Sequence, residues 1–247
     1  MKIAVISDIH GNMEALSAVL EDIKNNDCDK IFCLGDYAMA GPEPAKTINK
    51  FIELRKITDI TMIQGNTDLM IADYSDELYS AVKNSAPVMA NALRNDVELL
   101  SDEQKTFLKN LPAQIKMEVE GVKILLVHGS PRKNNENILP DMPLIEVEKM
   151  LENVDEDLVL CGHTHMPCGF QTSKSQTVVN VGSVGRPFTE NPDSCYLILT
   201  VNNGKCLFEH RFIKYDKETA SKKMLKREFE GVEKLAQTLL NPKERHF

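Results

Sequence analysis

Residues 3–6 form an unbroken apolar run, the pattern of a strand buried on both faces. Met13, Leu16, Leu20 and Ile23 then recur at helical spacing, with Asn12 placed to cap that helix. The alternation repeats. A second run at 31–34 precedes Ile48, Phe51, Ile52 and Arg55 on a helix, and a third run follows at 61–63, so a largely parallel sheet is expected. Between 69 and 114 the pattern turns helical and polar, with Ser101 and Gln104 spaced as a capping box. This insert is expected to pack over one sheet edge. Strand character returns at 116–120, turns at Gly121 and resumes at 124–127, and a helix near 144–151 leads to the apolar run 158–161. After Thr177 the chain reads as antiparallel, with 196–201 and 206–212 joined by Asn202-Asn203-Gly204. Residues 217–240 read as one amphipathic helix around Leu225, Phe229, Val232, Leu235 and Leu239. No internal repeat or linker is evident, so residues 1–247 are expected to form a single domain.

Composition narrows the function classes. No apolar run approaches the roughly 20 residues needed to span a bilayer, and an acidic residue at position 8 comes too early for a signal peptide. A cytoplasmic protein without membrane contact is expected. The six cysteines form no CxxC pair, which suits reduced, mostly buried thiols. A net charge of −8 and the lack of tryptophan argue against stable nucleic-acid binding. A small phosphorylated substrate, nucleotides included, stays open because bound metal ions supply local positive charge that the whole-chain balance hides.

The chemistry lies in what ends each strand. The run at 3–6 leads to Asp8 and His10, that at 31–34 to Asp36, that at 61–63 to Asn66, that at 124–127 to His128, and that at 158–161 to His163 and His165. Ligands of open α/β sheets bind beyond the carboxyl ends of strands. Four of the six histidines fall at these positions, while His210 lies on an outer strand and His246 in the tail. Taken singly, Gly35-Asp36 or Gly65-Asn66 reads as turn chemistry, and His128 as a core histidine. Together and in this order they read as a metal site.

The chain resembles the calcineurin-like metallophosphoesterase superfamily, whose blocks run D-x-H, G-D, G-N-H-[DE], H and G-H-x-H. Here they stand as Asp8-Ile9-His10, Gly35-Asp36, Gly65-Asn66-Thr67-Asp68, His128 and Gly162-His163-Thr164-His165. The resemblance reaches from the first residues to about Phe212 and looks closest to small prokaryotic phosphodiesterase-like and diadenosine tetraphosphatase-like members. It implies an α/β fold, a four-layer α-β-β-α sandwich of two mixed sheets with a helical insert. It also implies two divalent transition-metal ions, one held by Asp8, His10, Asp36 and His165, the other by Asp36, Asn66, His128 and His163, with Asp36 bridging. Such a carboxylate holds cations about 3.5–4 Å apart, and water between them ionises near neutral pH and attacks phosphorus in line. Mixed imidazole and carboxylate ligation suits Mn, Fe, Zn, Co or Ni, with Mn or Fe favoured.

Thr67 departs from the family block, where a histidine helps protonate the leaving group; a threonine hydroxyl is too weak an acid for that task. Phosphodiesters and phosphoanhydrides are therefore expected before alkyl monoesters. A phosphomonoesterase or protein phosphatase, and a non-catalytic scaffold of the same fold, are the alternatives. Beyond the metal ligands, Asp68 is a candidate for ligand orientation or proton transfer, with a supporting or helix-capping role favoured, and Arg132 and Arg186 are candidates for binding substrate phosphate, with an exposed or structurally paired role as the alternative for each. For Asn12, helix capping is favoured over phosphate binding. An exposed edge of the antiparallel region offers a surface for a homodimer.

Overall fold

The computed structural model describes residues 1–242; His246, expected in the tail, lies outside them. Two five-stranded sheets stack face to face. The first runs β10 (Lys205–Ile213), β9 (Ser194–Asn202), β1 (Lys2–Ile6), β2 (Lys30–Cys33), β3 (Ile60–Met62). The second runs β4 (Ile115–Val119), β5 (Val122–Leu126), β6 (Leu158–Cys161), β8 (Thr177–Asn180), β7 (Cys168–Gln171). Both sheets are mixed: β1, β2 and β3 are parallel and joined antiparallel to β9, while β5, β6 and β8 are parallel with antiparallel edges β4 and β7.

The unbroken apolar runs follow from the period of two along a strand. Ile3, Val5, Phe32, Leu34, Ile124, Leu126, Leu158 and Leu160 meet between the sheets. Their neighbours Ala4, Ile6, Ile31 and Cys33 face outward with α1 (Met13–Asn25) and α2 (Pro44–Ile57). On the far side Leu125, Val127, Val159 and Cys161 meet α7 (Leu144–Met150). Helix, sheet, sheet, helix gives the four expected layers.

Residues 66–109 fold as α3 (Asn66–Ala72), α4 (Asp76–Ser85), α5 (Pro87–Leu99) and α6 (Asp102–Lys109), the last opened by the Ser101/Gln104 capping box. Val88, Ala92, Leu93 and Leu108 join the core on the outer face of the first sheet. The expected single helix at 217–240 is instead two, α8 (Lys217–Met224) and α9 (Val232–Leu240). Gly231 separates them at φ +89°, where a Cβ would stand 2.7 Å from Val88 Cγ2, a left-handed turn that continuous helix forbids. The antiparallel reading after Thr177 also needs correction, because β8 runs parallel to β6. Its partner β7 escaped the pattern because it is a half-buried edge strand containing a glycine. The hairpin between β9 and β10 closes through Asn203 and Gly204, both at positive φ, as a two-residue turn of this kind requires. No helix among the described residues is long and apolar enough to cross a membrane, and the six cysteines are unpaired.

Candidate metal centre

The strands β1, β2, β3, β5 and β6 all deliver their last residues to one edge of the sandwich, where five loops interlock. The loop after β1 rides on the loop after β2, since the amides of Ile9 and His10 both donate to the Asp36 carbonyl at 2.9 Å and that of Gly11 to Tyr37. Asp8, His10, Asp36, His163 and His165 lie at φ between +47° and +67°. A left-handed conformation costs an ordinary residue about 1–2 kcal/mol, and it persists only where the surroundings over-determine it. The glycines of the Gly-Asn and Gly-His blocks have a steric origin. A Cβ on Gly65 would sit 2.1 Å from Asp36 Oδ1, and one on Gly162 would sit 2.2 Å from Ser7 Oγ and 2.6 Å from Asp8 Oδ2.

These loops bring the donors together in two compact buried groups, Asp8 with His10 and His165, and Asp8 with Asp36 and His128. His165 Nε2 lies 3.2 Å from Asp8 Oδ1. Asp36 Oδ2 stands between the groups, 3.6 Å from His10 Nε2 and 3.4 Å from His128 Nε2. The ring orientations are fixed from behind. Nδ1 of His10 donates to the Met39 carbonyl (2.9 Å), of His165 to the Arg186 carbonyl (2.6 Å) and of His128 to the Leu34 carbonyl (2.7 Å). A carbonyl only accepts, so each ring turns its Nε2 toward the carboxylates, the arrangement that outer partners impose on metal-binding histidines.

The residues fit a metal ion on two observations. Asp8 Oδ1 is fully buried without a hydrogen-bond partner, a costly state for a carboxylate unless a cation meets it. The Nε2 atoms of His10 and His165 face each other at 3.1 Å, lone pair to lone pair when both rings are neutral.

Electrostatics follow from the crowding. Burial, then the neighbouring charge of His165, pushes His10 down to about 4. Burial disfavours the charged form of His128 as well, yet Asp36, by charge and hydrogen bond, and Asp8 lift it to about 10. Burial works to raise Asp8, but His165 and His128 bring it down to about 2. Asp36 is held far below the ordinary carboxylate range by His128 and His10 against the same burial.

The remaining candidates divide. Asn66 comes 3.0 Å from His128 Nε2 through its Oδ1. His163 lines the same cleft and packs edge-on to His128, with ring centroids 5.3 Å apart, but stands outside the two compact groups. Asp68 is not aimed at the cleft as an acid would be: its carboxylate accepts from the amides of Asp36, Tyr37 and Gly65 and ties the loop after β2 to the start of α3. Arg132 stands apart from the two donor groups. It is paired with Glu136 and borders a neighbouring cavity of about 150 Å³ that includes His128 but none of the other donors. Arg186 does line the cleft, yet its guanidinium donates to the Ala40 carbonyl (2.7 Å) and Thr238 Oγ1 (3.2 Å), bracing loops from behind. Asn12 caps α1 through the Ala15 amide and also donates to the Gly185 carbonyl. His210 lies away from the donors, bonded to the Asn180 carbonyl.

The donor cleft is about 230 Å³, and its other lining residues include Met89 of α5 and Phe188, whose ring lies 4.0 Å from that of His165. Neither carried a signal in the sequence, since one is an ordinary helical methionine and the other follows a glycine-rich loop. A larger cavity of about 360 Å³ contains none of the metal donors, so size does not identify the site; convergent chemistry does.

Comparisons with known proteins bear on the family and the fold. The family model for the calcineurin-like phosphoesterase superfamily domain matches residues 1–204. An uncharacterized protein of Methanocaldococcus jannaschii is 31% identical over 91% of this chain and 92% of its own. The crystal structure of a hypothetical protein from Pyrococcus horikoshii superposes with a TM-score of 0.82 at 25% identity, covering 95% of this chain and 97% of the other. A metallophosphoesterase from Sphaerobacter thermophilus gives 0.75 at 24% identity, covering 97% and 99%, and shares the fold.

Proposed function

Because the chain belongs to the calcineurin-like phosphoesterase superfamily, we propose that it is a cytoplasmic hydrolase of phosphodiesters or phosphoanhydrides, with nucleotide-like substrates and two divalent metal ions. The observation that carries this reading is the pair of donor groups sharing Asp8, whose Oδ1 is buried without a hydrogen-bond partner.

Asp8, His10 and His165, with Asp36 alongside, would hold one ion; Asp36, His128 and Asn66, with His163 beside them, would hold the other. Two divalent cations, when bound, supply charge to draw in phosphate oxygens and make water acidic enough to act as nucleophile near neutral pH. The chain's own work is orientation. Backbone carbonyls lock the three imidazoles in the Nδ1–H form, and Asn66 contributes an uncharged oxygen that leaves the ions acidic.

The choice of substrate rests on Thr67. Its amide donates to Asp36 Oδ1 (2.9 Å) and its hydroxyl to the Ala38 carbonyl (3.3 Å), so it braces the carboxylate and offers no acid to a leaving group. That favours esters and anhydrides whose leaving groups depart without protonation. The apolar surfaces of Met89 and Phe188 suit the organic part of such a substrate better than a phosphoserine peptide.

The test is metal-dependent hydrolysis of bis(p-nitrophenyl) phosphate. Stripped protein is expected to lose activity and recover it with Mn²⁺; activity that survives complete stripping would end the metal reading. A panel of monoesters, diesters and dinucleoside polyphosphates run with Mn²⁺ then ranks the substrates, and a preference for alkyl monoesters would overturn the assignment.

A further inference from the structure

The loop that follows Asp36 is held by more side chains than its length requires. Met39 and Ala40 lie at φ +76° and +61°, unfavourable for both. The Met39 carbonyl is the acceptor that fixes the His10 ring, at 2.9 Å from Nδ1. The amide of the same residue donates to Asp96 Oδ2 at 2.6 Å. Asp96, on α5, is fully buried and ion-paired with Arg227, which follows α8. Arg227 in turn donates from Nη1 to the Gly41 carbonyl at 2.6 Å and forks onto Asn95 Oδ1. One buried ion pair therefore grips the backbone on both sides of the Met39–Ala40 turn.

We infer that Asp96 and Arg227 are positioning residues for the metal ligand His10, acting through the backbone of Met39. Three observations carry this beyond ordinary fold maintenance. First, the bonds run in one unbroken path: Arg227 to Asp96, Asp96 to the Met39 amide, and the Met39 carbonyl to His10 Nδ1. Second, a buried ion pair is a poor means of stabilising a fold, since apolar residues of similar volume serve as well or better, while one that fixes a unique arrangement has a use that apolar residues lack. Third, the pair joins two segments remote in sequence from the metal blocks, α5 and the chain after α8, to the loop that follows Asp36 and leads from β2 into α2. Outer partners of metal-bound histidines act in this way, and their loss typically weakens metal binding by about 10- to 100-fold. Sequence gave no hint of either residue, because neither falls within a metal block.

The inference rests on His10 being a metal ligand, so the experiment separates the two. Mn²⁺ binding to the full-length protein, stripped and titrated calorimetrically, is compared between parent and Asp96→Asn, which keeps an acceptor for the Met39 amide and removes the charge that holds Arg227. Loss of affinity by about 10- to 100-fold at one of two sites is expected, with the other unchanged. Val147→Ala, in the core behind the second sheet, is the control for stability and should lower the melting temperature without changing Mn²⁺ affinity. In parallel, ¹⁵N spectra of the histidine rings in the metal-free protein should show His10 in the Nδ1–H form in the parent and a mixture in the variant. Arg227→Lys keeps the charge but loses the fork to Gly41 and Asn95; it gives a smaller loss of affinity in the same direction and covers the case in which Asp96→Asn does not fold. Unchanged affinity and unchanged ring spectra in the folded variants would overturn the positioning role while leaving the metal site intact. A parent that binds no Mn²⁺ would overturn both.

Discussion

On one side of Asp8 two imidazoles meet nitrogen to nitrogen, His10 and His165 at 3.1 Å; on the other, His128 meets the side-chain oxygen of Asn66 at 3.0 Å. Residue types are similar, yet protons are held differently. Burial and His165 press His10 down to about 4, whereas Asp36 and Asp8 lift His128 to about 10 against its burial. A protonated His128 donates from both nitrogens, to Leu34 and to Asn66, so in the metal-free chain a proton occupies the place of a cation there. His10, pressed down to about 4, carries no such proton near neutral pH. Metal thus meets a neutral His10 in the first half, while in the second it must displace the proton of His128.

The largest effect should come from the residue the halves share. Asp36→Asn removes the carboxylate that stands between His10 and His128, and activity is expected to fall on the order of 10³-fold, the scale of several kcal/mol of lost transition-state charge stabilisation. Metal analysis of the purified variant should show both ions affected. If only one ion were lost, Asp36 would belong to one half and would not join the two.

The pH dependence of metal binding separates the halves next. Metal entering the His128 half must displace a proton, so its affinity should fall about tenfold for each pH unit below about 10. His10, depressed to about 4, releases no proton when metal binds near neutral pH. Two Mn²⁺ titrations one pH unit apart, near neutrality, should therefore move the binding constant of the His128 half about tenfold. Stability of the stripped protein obeys the same logic. The folded value for His128 is raised above 6.5, so its contribution is full below pH 6.5 and is lost as pH rises toward about 10. The folded value for His10 is depressed, so stability is lost as pH falls from 6.5 toward about 4. Melting temperatures that rose steadily with pH through both windows would contradict this division.

Which parts of this site were legible in the sequence follows from how each residue acts. Asp8, His10, Asp36, Asn66, His128 and His165 could be read because each is a polar residue just past an apolar run, and strand ends are where a two-sided sheet must meet solvent or ligand. The layers were legible for the same reason, since Ile3 and Ala4 face different cores and no polar residue interrupts them. What escaped depended on backbone partners or on single turns. Asp68 and Arg186 carry charges in the right neighbourhood, but their bonds to amides and carbonyls turn them into braces. Arg132 lies four residues past a metal donor, and only the fold reveals that Glu136 takes its charge. The apolar spacing over 217–240 reports one helix because it says nothing of Gly231, where Val88 occupies the space a Cβ would need. Met89 reaches the cleft from an insert whose periodicity reports its packing on the first sheet and nothing about its tip.

Thr67 stands beside Asp36 at the boundary between the halves, and replacing it gives the smallest and most selective effect. Its amide bond to Asp36 Oδ1 is a backbone contact and survives any side-chain change; only the bond from its hydroxyl to the Ala38 carbonyl is lost. The side chain lines the cleft, so an imidazole there can approach a departing oxygen. Thr67→His should raise kcat on alkyl phosphate esters by about tenfold, below the 10²–10⁴ of a well-placed general acid because the pocket did not evolve around it. On p-nitrophenyl esters, whose leaving group needs no proton, kcat should hardly change. The ratio of the two rates is the measurement. An equal rise or fall on both classes would mean that Thr67 serves only to brace Asp36, and that the weak-acid argument for diester and anhydride substrates has lost its structural basis.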